Sequence, residues 1–97
     1  MGTGTGSGKS NALSAVQKLQ ITKGIETHSS EATDRAMASL QASIQKEQNI
    51  INNYDKYVKV GYIMGKTDPW WIGHKDNLAG LKAQYAFFQK ERKRLGK

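Results

Sequence analysis

From Ser30 onward, apolar and polar positions alternate with a helical period. Met37, Leu40, Ile44, Ile51, Tyr54 and Val58 follow one another at spacings of 3, 4, 7, 3 and 4 residues. Such spacing sets them along one stripe of a helix as a heptad seam. Glu47 fills the one slot between Ile44 and Ile51 that should be apolar. No proline interrupts the run, and Ala36, Ala38, Gln41, Ala42, Gln45 and Lys46 are good helix formers. Ser30, or Ser29 before it, can accept a backbone N–H at the start, and Glu31 and Asp34 suit the positive end of the helix dipole. The pattern predicts a helix over about 31–64, weakened at its end by Gly61 and Gly65. Its regular part, to about residue 60, is roughly 45 Å long at 1.5 Å per residue.

Lys66-Thr67-Asp68-Pro69 stops that helix, because the residue before a proline avoids the helical region. Trp70, Trp71, Ile72 and Gly73 read as a continuation of the connection, and a second helix is expected over about 75–95. Its Leu78, Leu81, Tyr85, Phe88 and Leu95 keep spacings of 3, 4, 3 and 7, with Arg92 in the vacant slot and Gly96 where a C-terminal cap belongs. The fold class predicted is therefore all-α: an antiparallel helical hairpin over 30–97.

The first 29 residues differ in kind. Gly2-Thr3-Gly4-Thr5-Gly6-Ser7-Gly8 has glycine at every second position and no apolar side chain, which reads as a flexible arm. Gly4 to Ser10 resembles the Walker A phosphate loop, but Thr3 stands where that pattern needs its first glycine, and no strand precedes it. The arm is the better reading, and a P-loop-like nucleotide binder the distant one. Leu13, Val16 and Leu19 favour a short helix over 10–22, ended by Lys23-Gly24 and followed by a polar linker from Glu26 to Ser30.

Composition narrows the function classes. The 97 residues hold no cysteine, which excludes a disulfide scaffold and a Cys-ligated zinc module. No apolar stretch approaches the roughly 20 residues that cross a bilayer. Neither an H-E-x-x-H helix nor a calcium loop is present; Glu26, His28, Glu31 and Asp34 read as a solvated linker, and His74 has no evident partner. No catalytic residue, metal ligand or cofactor is assigned, and the chain reads as a non-enzyme. With no classical export signal, the cytoplasm is the default location; a virion or a dedicated secretion machine would leave no such trace.

Net charge is +7 and grows toward the C-terminus: residues 65–97 carry eight positive and three negative side chains. Lys90, Arg92, Lys93, Arg94 and Lys97 exceed what a helix C-terminus needs, which makes a polyanion a candidate partner. Nucleic-acid phosphate, an acidic protein surface and anionic lipid headgroups all fit. Trp70 and Trp71, at the tip of the hairpin, either fold over the helix ends or anchor a neighbouring subunit. The Gly61-x-x-x-Gly65 spacing suits a kink or a tight contact between subunits.

Ile50, Tyr57, Ile63 and Met64 lie beside the first seam, so the apolar stripes look too broad for two helices to cover. Self-association follows as the expectation. The leading functional reading is a structural or assembly subunit, of the ring, filament or virion type. Met37, Leu40, Ile44, Ile51, Tyr54 and Val58 would meet Leu78, Leu81, Tyr85 and Phe88 within or between chains, and Trp70 and Trp71 would anchor the next subunit. The alternative is a nucleic-acid-binding accessory protein that contacts phosphates through its C-terminal cluster.

Overall fold

A computed structural model of the chain describes residues 13–97. They form four helices, α1 (Ala15–Thr27), α2 (Ser30–Asn52), α3 (Tyr54–Lys59) and α4 (Pro69–Leu95), with no strand among the described residues. The all-helical expectation holds. Residues 1–12, with the glycine-rich stretch and its Walker-like sequence, lie outside the described residues.

Helix α1 opens on a capping box: Ser14 Oγ accepts the Gln17 N–H at 3.1 Å, and Gln17 Oε1 accepts the Ser14 N–H at 3.0 Å. It then runs through Lys23-Gly24 to Thr27, later at both ends than the 10–22 expected. The reason lies just past Gly24. Ile25 is the most deeply buried side chain described, at 1% exposure. Burying it is worth about 1.5–3 kcal/mol, against about 1 kcal/mol for a glycine within a helix. The expected polar linker thus shrinks to His28-Ser29.

Ser29 caps α2, its Oγ accepting the Ala32 N–H at 3.1 Å. The single helix expected over 31–64 is instead two. At Asn53 (φ −100°, ψ 23°) the side-chain amide donates to the Asn49 carbonyl at 2.7 Å, and the backbone N–H turns to Ile50. Asparagine's short polar side chain competes with the helical ladder, and here Asn52 and Asn53 fall in succession. Helix α3 resumes for six residues and ends before Gly61. Gly61 and Gly65 have φ of +77° and +155°, left-handed conformations in a turn, so their spacing makes no helix-packing motif.

Helix α4 begins six residues before the expected Lys75, at Pro69. Asp68 caps it, accepting the Trp70 N–H at 2.9 Å and the Met64 N–H at 3.3 Å. The proline that bars one helix serves as the first residue of the next, where its missing N–H costs nothing and its φ is already helical. Trp70 and Trp71 therefore stand in the first turn of α4, not in the connection. At the other end Gly96 adopts φ +73°, and Lys97 N–H reaches the Arg92 carbonyl at 2.9 Å, closing the helix as expected.

Helices α2 and α4 pair along their length within the chain, and α1 lies mainly against α4. The polar pairs described below join the start of α2 to the end of α4, so the two run antiparallel. The result is thin: 48 × 32 × 15 Å, with a radius of gyration of 15.9 Å where a compact domain of this length has about 12 Å. Among the described residues the buried side chains are few: Ile25, Ile63, Trp71 and Leu78, with the polar Thr33 and Glu91.

Candidate functional site

Each seam has one charged interruption, and both interruptions pair across the hairpin. Glu47 of α2 accepts from His74 Nδ1 of α4 at 2.6 Å. His74 also lies edge-on to Trp70, with ring centroids 4.4 Å apart. The expectation that His74 lacks a partner is thus overturned, because Glu47 stands opposite it. Arg92, in the vacant slot of α4, pairs with Asp34 of α2 and also reaches the Met37 sulfur and the Lys97 carbonyl. A charge set into an apolar seam adds little stability, but it penalises every register in which it faces hydrocarbon.

The open end of the hairpin is a polar lock. Glu91, at 5% exposure, accepts from Arg94 at 2.6 and 3.0 Å and from the Thr22 hydroxyl of α1 at 2.8 Å. The hydrogen bond from Arg94, then that from Thr22, holds its carboxyl at about 2 against an ordinary 4.5, outweighing desolvation. Arg94 is raised in turn, chiefly by the same bond. Lys97 Nζ donates to the Glu26 and Ile25 carbonyls at 3.0 and 3.4 Å, placing a cation on the negative end of α1. Of the five residues expected to meet a polyanion, Arg92, Arg94 and Lys97 have partners within the chain, Arg94 and Lys97 while still exposed, and Lys90 and Lys93 stand exposed. Glu91 stands among these cations in the sequence, and the fold makes it their internal partner.

At the closed end, aromatic rings stack into one another. Trp71, at 3% exposure, packs on Tyr54 with centroids 4.7 Å apart. Tyr57, Tyr62 and Trp70 form a second group with centroids 5.0 to 5.9 Å apart. Trp71 is thus held inside the chain, out of reach as an outward anchor, while Trp70 is half-buried. Around them Val58, Val60, Tyr62, Met64 and Ile72 stay exposed, Met64 by 91%.

Of the expected seam residues, Met37, Leu40, Ile44 and Ile51 lie on α2, Tyr54 and Val58 on α3, and Leu78, Leu81, Tyr85 and Phe88 on α4, with α2 packed against α4. Leu78 alone among them is fully buried; Met37, Leu40, Ile44, Ile51, Tyr54, Leu81, Tyr85 and Phe88 are partly covered, and Val58 is exposed. Beside the seam, a mostly apolar groove of about 410 Å³ runs between α1 and α2, lined by Ile21, Gly24, Ala32, Ala36 and Phe88. Val16 and Leu19 are exposed on α1. Among the described residues, no group of three or more acidic or histidine side chains is placed to hold a metal, and no helix is long and apolar enough to cross a membrane.

Compared with protein-family models, with curated proteins and with solved structures, the chain matches none.

Proposed function

We propose that the chain is a non-enzymatic assembly subunit whose copies pack over the half-covered α2–α4 seam, in a ring, a filament or a virion-type shell. The observation that carries this reading is the seam itself: ten apolar residues at helical spacing along α2, α3 and α4, of which Leu78 alone is fully buried and the rest keep part of their surface in water. A soluble domain tends to hide such a stripe, and a second copy offers the same stripe in return. The thin, extended shape supports it, since a flat body gains more cover from stacking than from refolding. The alternative, phosphate contact through the C-terminal cluster, loses ground because Arg92, Arg94 and Lys97 already have partners.

Because the chain has no cysteine, a single introduced one reports on neighbours directly. Oxidation of an Ile44→Cys chain, on the seam, should yield linked dimers readily. A Lys46→Cys chain, on the exposed side of α2, should yield few. Equal, slow linking of both would overturn the seam as the contact between copies.

A further inference from the structure

The closed end of the hairpin combines two features that seldom coincide by accident on a soluble surface. Val58, Val60, Tyr62, Met64 and Ile72 are exposed apolar side chains within one short stretch, with Val60 at 68%, Tyr62 at 61% and Met64 at 91% exposure. Lys59 and Lys66 flank Val60 to Met64, both exposed, while Lys56 and Lys75 further out stand beside Asp55 and Asp76. The acidic residue inside this stretch, Asp68, is turned inward to cap α4 and to hold the Met64 N–H. The loop is therefore pinned at its base, with Met64 presented outward.

We propose that this end docks on an anionic lipid bilayer, with Val60, Tyr62, Met64 and Ile72 entering the headgroup–acyl boundary and the lysines lying against the headgroups. Charge selects the occupant. A second copy would bring another Lys59 and Lys66 against these two, with like charges meeting beside the apolar side chains. An anionic bilayer supplies opposite charge at the headgroups and hydrocarbon just beneath them, which suits lysines beside exposed apolar side chains. Tyr57 and Trp70 pack against Tyr62, and such rings with one polar edge suit the level of the headgroups. The chain would lie on the membrane by its tip, since no described helix can span it.

Lysines near an anionic surface each strengthen binding by about fivefold, and each buried apolar group adds a similar factor. Co-sedimentation of the full chain with mixed phosphatidylserine–phosphatidylcholine vesicles, and with phosphatidylcholine alone, reads both contributions. Binding should be at least about tenfold weaker on the neutral vesicles. A Lys59→Gln/Lys66→Gln chain should lose about twentyfold on the anionic ones. A Val60→Ser/Met64→Ser chain should lose more than about tenfold there, while its retention on heparin, a polyanion without hydrocarbon, stays unchanged. Both side chains are exposed, so an unchanged far-ultraviolet spectrum should confirm the fold.

Three results would overturn the proposal. One is failure of the unsubstituted chain to sediment with anionic vesicles. Another is Val60→Ser/Met64→Ser binding them as well as the parent, which reduces the interaction to charge alone. The third is loss of self-association in that variant with no vesicle binding, which makes the patch a contact between copies. Native mass measured on the same samples keeps this test separate from the assembly reading.

Discussion

The two ends of the hairpin solve opposite problems. At the open end charge is abundant, and the chain consumes it: Glu91 is wrapped by Arg94 and Thr22, Arg92 holds Asp34, and Lys97 sits on the carbonyls that close α1. At the closed end apolar surface is abundant, and the chain leaves much of it in water, covering Trp71 and Ile63 but not Val60, Tyr62 or Met64. Residue type alone would assign partners the other way round, with free cations at one end and two free tryptophans at the other. What decides availability is whether the fold already supplies a counterpart, and it does so for the charges.

Substitutions should separate the two ends, the largest effect coming from the buried ring. Trp71→Ala removes the main packing of the closed end and should cost about 3–5 kcal/mol in urea unfolding. A loss under about 1 kcal/mol would mean that the Tyr54–Trp71 contact contributes little. The open end should instead fail with acid. A carboxyl held at about 2 in the folded chain and near 4.5 when unfolded contributes its full stability above pH 4.5, and that contribution fades as pH falls toward 2. Amide protection in α1, corrected for the intrinsic pH dependence of exchange, should fall through that window ahead of α2, and Glu91→Gln should show the lower α1 protection already at neutral pH. An equal loss of protection in both helices would contradict the lock.

Smaller effects belong to the seam and the loop. A double-mutant cycle on Glu47 and His74 should give a coupling of about 0.5–1 kcal/mol, and one on Asp34 and Arg92 less, because the Asp34 side chain is 62% exposed. Equal couplings would show that exposure does not set their worth. Met64→Ser should leave unfolding within about 0.5 kcal/mol of the parent, since almost nothing covers that side chain.

The two long helices were legible because their periodicity is regular, and Gly96 was legible as a cap because a left-handed position demands it. Less legible was whatever depends on a partner distant in sequence. Gly24 reads as a stop until Ile25 is seen buried, and Pro69 reads as a terminator until Asp68 is seen capping the helix it starts. Likewise Glu47 and Arg92 read as blemishes in two separate seams. Laying the seams antiparallel brings His74 and Asp34 opposite them, and the blemishes become register pins. The break at Asn53 was written locally, in two adjacent asparagines, but the strength of the flanking pattern masked it.

Equilibrium sedimentation of the purified chain across a wide concentration range tests the central claim, that one copy cannot cover its own seam. The expected result is a mass that rises with concentration to a multiple of 10.7 kDa. A folded species that stays at 10.7 kDa throughout would contradict it.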